Sequence, residues 1–254
     1  MSNSVLTENR GGVLLVTLNR PAKKNAINDE MWIAIRETFA AAERDDTVVC
    51  VLLTGAGQDF CAGVDLSSFS DPGDGEAHPF ETAARTVAAF GKPIVAAVAG
   101  VAVGGGATVL FHCDIVYVGE SLRMRLPFAN LGLVPEWASS YMLQANIGAQ
   151  RAAELFYTAE WVDADKALNA GIAAEVLPDL DLFDYAFAKA SEIAQWPVNS
   201  LQEIKRSLRL HHLPAIDAAI NAEQAAMMRQ AGSPENIEAL TAFMEKRTPN
   251  FKDL

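Results

Sequence analysis

Glu136 stands in a run that is otherwise apolar or small: Leu131-Gly132-Leu133-Val134-Pro135-Glu136-Trp137-Ala138-Ser139-Ser140. Among such neighbours a carboxyl group holds its proton more tightly than in water, which suits it to shuttle a proton to and from a carbon acid. Gly104-Gly105-Gly106, earlier in the chain, open an apolar stretch with helical character. The first amides of a helix carry partial positive charge, and glycine lets a ligand oxygen reach them. A base and an anion hole together are the parts needed to deprotonate a carbon next to a carbonyl and hold the enolate. An acid at 136 is also what the dipole of a following helix favours, so position alone leaves Glu136 open between base and helix-start acid.

A second glycine turn, Phe60-Cys61-Ala62-Gly63-Val64-Asp65-Leu66, follows a Val- and Leu-rich stretch. Gly63 permits a bend that would turn the next amides outward, with Asp65 as its organiser; an ordinary turn explains the same residues. The turn at 104–106 lacks the Gly-Lys-Ser/Thr of a P-loop and the spacing of a dinucleotide fingerprint. Close helix–strand packing would also favour glycine there. Two such turns, each after a buried strand, point toward a hole made of two amides.

The elements that must position these residues are legible in outline. Residues 13–19, 48–54, 93–98 and 114–118 are apolar runs predicted as buried strands. Between them lie a helix over 29–44 capped by Asn28 and another over 105–112. Alternation of this kind implies an α/β sheet covered on both faces. Further helices are predicted over 137–147 and 150–157, and one capped by Asp163 that stops at Gly171. A short strand falls within 172–177, and helix dominates from 182 on. Ser233-Pro234-Glu235 has the form of a helix start. We divide the chain into a core of residues 1–196 and a helical region of residues 197–254 that packs on the core or on a neighbouring subunit. The loosest stretch is 70–79, a plain loop or a lid.

The chain has 254 residues, 50% hydrophobic and 20% charged, with a net charge of −12. That is enough chain for one large core, and it excludes disorder as the default. The acidic balance argues against nucleic acid as a partner but not against a phosphate-bearing small molecule. Cys50, Cys61 and Cys113 have no metal-ligand spacing and are expected to be reduced, inert thiols. No signal pattern, membrane-length apolar run or known C-terminal address is present, so a cytoplasmic location is expected.

Taken together, the motifs resemble the enoyl-CoA hydratase/isomerase, or crotonase, family along nearly the whole chain. The residues that carry the resemblance begin with Leu18-Asn19-Arg20-Pro21, Asn25-Ala26 and the 60–66 turn. They continue with the run from Lys92 to Gly100, Gly104-Gly105-Gly106 and His112-Cys113-Asp114. Ala152-Ala153-Glu154, Asp163-Ala164 and Ala170-Gly171 complete the set. The resemblance implies a spiral of ββα turns with a helical C-terminal part, and assembly as a homotrimer or a dimer of trimers. It implies an acyl-CoA substrate whose thioester oxygen lies between the Val64 and Gly105 amides, with the adenine end near Ala22, Lys24 and Ala62. Coenzyme A then enters as part of the substrate, and no separate cofactor or metal is implied.

Hydratases of this family carry two glutamates, at the positions of Thr108 and Phe128 here. Their absence removes the pair that would activate water and protonate the α-carbon. The stretch 133–140 instead resembles the one bearing the catalytic glutamate of Δ3,Δ2-enoyl-CoA isomerases, which need a single base. Asp65, Leu66, Thr108, Pro127, Phe128, Leu131 and Trp137 are the expected pocket residues around Glu136. Trp137 serves equally well as packing. Alternatives are a hydratase with an altered site, a hydrolase or dehalogenase on the same fold, and a non-catalytic acyl-CoA binder. Among the remaining candidates, His112 is expected in the core, His78 solvated, and Asp114 at the end of the helix before its strand. His211 and His212 lack a third ligand. Arg123 and Arg125 lie on a half-exposed strand, with Arg125 open to a phosphate or an interface.

Overall fold

The computed structural model describes residues 4–65, 78–252 and 254. Leu66 and nearly all of the expected loop at 70–79 lie outside the described residues. β1 (Val5–Arg10) forms an antiparallel hairpin with β2 (Val13–Leu18), which runs parallel to β3 (Cys50–Gly55). α1 (Asp29–Arg44) joins β2 to β3, and α2 (Pro79–Ala89) precedes β4 (Ile94–Val98). A short strand β5 (Val101–Val103) leads into the one-turn helix α3 (Gly105–Thr108), which tightens to a 3-10 turn over Val109–His112. β6 (Ile115–Gly119) and β7 (Arg123–Arg125) follow. Next come α4 (Ser139–Ile147), α5 (Ala149–Thr158), α6 (Ala164–Ala170) and β8 (Glu175–Leu177). The chain continues as α7 (Asp179–Ile193), α8 (Val198–Arg209), α9 (Leu213–Gln230) and α10 (Pro234–Glu245).

Among the described residues the main sheet has the order β1-β2-β3-β4-β6-β8, parallel from β2 onward. The period of two along each strand divides its side chains between two apolar layers. Val13, Leu15, Cys50, Leu52, Val95 and Ala97 face α7 through Leu182, Ala186 and Ala190. Val16, Leu18, Val51, Leu53, Ile94 and Ala96 face the opposite layer, where α1 and α2 contribute Trp32, Ile35, Phe39, Ala84 and Val87. A strand buried on both faces has no polar side to mark its register. That is why these strands were recognisable as continuous apolar runs, and the expected α/β sheet is what forms.

Several boundaries have physical causes. Asn28 Oδ1 accepts from the Met31 amide and starts α1 where the sequence predicted it. Asp163 and Ser233 cap α6 and α10 in the same way, and Gly171 ends α6 with φ of +86°. The expected helix from 137 begins instead at Ser139, because Trp137 and Ala138 both have left-handed backbone, at φ +60° and +54°. β1 and α2 were not anticipated. β1 is exposed along most of its length and lacks a buried run, and α2 opens on His78-Pro79, at the end of the polar stretch read as a loop.

A minor array of bridges lies beside the sheet and builds the site. Cys61 pairs with Ala102, Ile27 with Val64, and β5 with β7. The C-terminal helices pack on the chain's own core: α9 lies on α4, and α10 on the turn at Ala129–Leu131. Arg85 on α2 reaches Asp217 and Asn221 of α9, at 2.8 and 2.6 Å.

Candidate active site

The two glycine turns meet. A Cβ on Gly63, whose φ is +90°, would lie 2.6 Å from the Val103 carbonyl oxygen and 3.8 Å from Gly104 Cα. One on Gly106 would lie 2.5 Å from the Cys61 carbonyl oxygen. Only glycine allows both approaches. Within 61–65 the Cys61 amide donates to Val101, Ala62 to Lys24 and Asp65 to Ile27, while Gly63 donates to the Cys61 thiol. Among the described residues the Val64 amide has no such acceptor. On the facing turn Gly104 donates to Arg125, and the amides of Ala107 and Thr108 return to the Gly104 carbonyl. Among the described residues the Gly105 amide, at the start of α3, also has no acceptor. Two unused N–H groups are thus delivered by two turns locked against each other.

The Glu136 carboxyl lies against this place. A Cβ on Gly105 would be 3.2 Å from Glu136 Oε1 and 3.4 Å from Trp32 Cη2. The carboxyl accepts no hydrogen bond among the described residues. Burial, and secondarily the negative charge of Glu223, push its pKa up to about 8. The residue as a whole is only partly covered, while its carboxyl is enclosed.

Two distant residues hold the turn that carries it. Glu223 of α9 is 7% exposed, and its two carboxylate oxygens accept from the Ala138 amide at 2.7 Å and the Ser140 amide at 2.8 Å. It serves as the N-cap that Ala138 cannot provide, from 85 residues further along the chain. His112 Nε2 lies 2.5 Å from the Trp137 carbonyl oxygen, which can only accept, so this nitrogen carries the proton. Burial takes the His112 pKa down to about 4, leaving a neutral ring that also accepts from Arg209 at 3.4 Å. His112 is therefore the satisfied core histidine expected.

An aromatic wall closes the far side. Trp32 and Phe80 meet edge to face at 5.1 Å between ring centroids, and both lie 6.0 Å from the Trp137 ring. The sequence singled out Trp137 but neither Trp32 nor Phe80. Thr108 is fully buried and Phe128 packs on Phe156, so the two positions where a hydratase carries acids hold neither charge nor a basic group. Pro127, Phe128 and Leu131 form one tight turn, through Leu131 amide bonds to the other two carbonyls.

Ala22 is exposed, and Lys24 lies beside Ala62 through the Ala62 amide bond to its carbonyl. The Lys24 ammonium pairs with Asp59 at 2.8 Å. Asp65 is held by Arg20 at 2.9 Å, which ties the turn to the 20–26 segment. Some other expectations need correction. Asp114 does not finish a helix: its Oδ2 accepts from the Ile94 amide and from Lys205, at 2.7 and 2.8 Å, so it fixes the start of β4. His78 is open to solvent as expected, and it also caps α2 by accepting from the Phe80 amide. Arg125 donates to Ala159 and Asn130 and lies over the Trp161 ring, so it is engaged within the chain. Cys50 and Cys61 are fully buried, and burial pushes each thiol up to about 12; Cys113 shares that shift but is only partly covered. A cavity of about 430 Å³ lies away from Glu136, beyond His112, bordered by Asp114, Asn146, Arg209 and His212.

Fold and site together define a class: a spiral α/β protein in which two glycine turns meet beside one enclosed carboxyl. The chain belongs to the enoyl-CoA hydratase/isomerase family, whose model matches residues 8–254. It is 33% identical over 259 residues to the 1,2-epoxyphenylacetyl-CoA isomerase of Escherichia coli (strain K12), covering 99% of both chains. It is also 33% identical over 243 residues to the 2,3-dehydroadipyl-CoA hydratase of the same organism, covering 94% of this chain and 95% of that one. Among solved structures, an enoyl-CoA hydratase/isomerase from Pseudoalteromonas atlantica T6c matches with a TM-score of 0.95 at 36% identity, covering 98% of this chain and 100% of that one. The protein is thus a crotonase-family acyl-CoA enzyme.

Proposed function

We propose that this enzyme moves the double bond of a 3-enoyl-CoA to the 2-position, with Glu136 as the only proton carrier. The Glu136 carboxylate removes a proton from C2 of the thioester. The electron pair delocalises through the carbonyl and the 3,4 double bond, giving a dienolate. Its oxygen is held by the Val64 and Gly105 amides. The Glu136 carboxylic acid then returns the proton to C4, the double bond settles between C2 and C3, and the base is regenerated. No water is consumed. The observation that carries this reading is the Glu136 carboxyl lying free of hydrogen bonds against Gly105, with no second acid at Thr108 or Phe128. Relatives include an enoyl-CoA delta isomerase at 32% identity and a hydratase at 33%, so identity alone does not choose between the two reactions, and the missing acids at 108 and 128 support the isomerase reading.

The test is a panel of 3-enoyl-CoA thioesters of varied length run beside crotonyl-CoA. Glu136→Gln is expected to lose turnover while binding an acyl-CoA as the wild type does. Wild-type turnover in that variant excludes Glu136 as the base. Rapid hydration of crotonyl-CoA favours the hydratase alternative, and tight binding without turnover of any thioester favours a non-catalytic binder. The adenine end of the substrate is assigned to Ala22, Lys24 and Ala62. Assembly as a homotrimer or dimer of trimers belongs to the same reading. Exposed Leu208, Met228, Phe243 and Met244 on the C-terminal helices support it; sedimentation as a monomer counts against it.

A further inference from the structure

The geometry points to Glu223 as the positioning residue of this site: from α9 it clamps the turn that aims the Glu136 carboxyl at the Val64 and Gly105 amides. The inference rests on Glu136 being the base. Trp137 and Ala138 lie in succession in the left-handed region, which residues other than glycine disfavour. Such a conformation persists only where its surroundings over-determine it. Here Glu223 takes the amides of Ala138 and Ser140, and His112 takes the carbonyl of Trp137. The Ser139 amide closes the turn on the carbonyl of Glu136 itself, at 3.0 Å.

These four contacts fix the backbone on both sides of Trp137. Among the described residues the Glu136 side chain has no hydrogen bond of its own to orient it, so its aim is inherited from that backbone. Ile216 and Ile220, buried on the same face of α9, seat the helix that brings Glu223 in. The contribution of α9 is therefore directional: it supplies no group to the substrate and keeps the base in line with the hole.

A second effect follows from charge. Among the described residues the ionisable groups around Glu136 are Glu223 from α9, the Cys61 thiol from the 61–65 segment, and His112 behind the Trp137 carbonyl. Burial keeps the thiol protonated up to about 12 and the imidazole neutral down to about 4. Glu223 is the group whose negative charge adds to burial in making Glu136 hold its proton.

The test compares wild type, Glu136→Gln, Glu223→Gln and Glu223→Ala in turnover of a 3-enoyl-CoA and in exchange of its C2 hydrogen for deuterium. Glu223→Ala leaves both amides without an acceptor and is expected to lower kcat on the order of 100-fold, the scale of a misplaced catalytic group. Glu223→Gln keeps the side-chain volume and one acceptor, so it carries the test if the alanine variant does not fold. In it kcat is expected to fall by about tenfold with KM nearly unchanged. The rising limb of its pH profile is expected to move to lower pH, because a neighbouring negative charge is gone. A role confined to stability would lower Tm and leave kcat per folded molecule and that limb where they are. This result with an inactive Glu136→Gln overturns the positioning role alone. An active Glu136→Gln overturns the base assignment and this inference together.

Discussion

At the residue scale Glu136 is placed where its ionised form is least comfortable. Its folded pKa of about 8 lies above the ordinary 4.5, so between those values the folded chain binds more protons than the unfolded one. The stability contributed by this group therefore falls as pH rises through that window. Glu136→Gln should remove the slope and raise Tm above pH 8, by roughly 2–4 °C for each kcal/mol of relieved desolvation. Thermal melts of both proteins at several pH values check this, and a variant that melts lower at pH 8 contradicts the assigned burial cost. Activity runs the other way: the base works ionised, so kcat/KM should climb with pH through about 8. An enzyme of this kind gives up stability to keep a strong base out of water.

The elements of the site are two glycine turns and one strained turn. Gly63→Ala would drive a Cβ into the Val103 carbonyl and force a left-handed residue, so the Val64 amide must shift. We expect kcat to drop on the order of 100-fold, comparable with the loss of an anion-hole donor, while circular dichroism stays close to wild type; undiminished turnover would exclude the Val64 amide from the hole. Both glycine turns were legible in the sequence because glycine after an apolar strand is an unusual local choice. The Glu136 run was legible for the same reason, as one charge among apolar neighbours. Glu223 was not singled out, yet a signal existed: Ile216, Ile220 and Glu223 share one face of α9, so the acid falls where the helical period demands an apolar side chain. Trp32 and Phe80 were missed because an aromatic residue on an amphipathic helix looks the same whether it lines a core or a pocket. The left-handed pair Trp137–Ala138 left no trace at all, since neither residue type favours that backbone and only contacts from far along the chain sustain it.

Across the whole molecule the C-terminal helices are tied to the sheet by buried cations. Lys205 of α8 donates to Asp114 and to the Lys92 carbonyl, each at 2.8 Å, and Lys92 in turn donates to the carbonyls of Ala42 and Asp45. Lys205→Met would strand the Lys92 carbonyl and leave Asp114 with the Ile94 amide. The expected cost is about 3 kcal/mol, at the lower end for a buried pair because Asp114 keeps some contact with water. A lower denaturant midpoint with an unchanged slope checks this. The buried strands and several helix starts were recoverable from sequence because apolar runs and helix caps are local. Which surface the last helices would cover was not, because their amphipathic faces fit a neighbouring subunit as well as their own core. Since the acid that steadies the reactive turn sits on α9, a nascent chain can lay down the sheet and both glycine turns while the ribosome is still adding the residues that aim the base. On the proposed reading the site becomes fully competent only once α9 has docked, so a chain still lacking α9 is expected to turn acyl-CoA over more slowly.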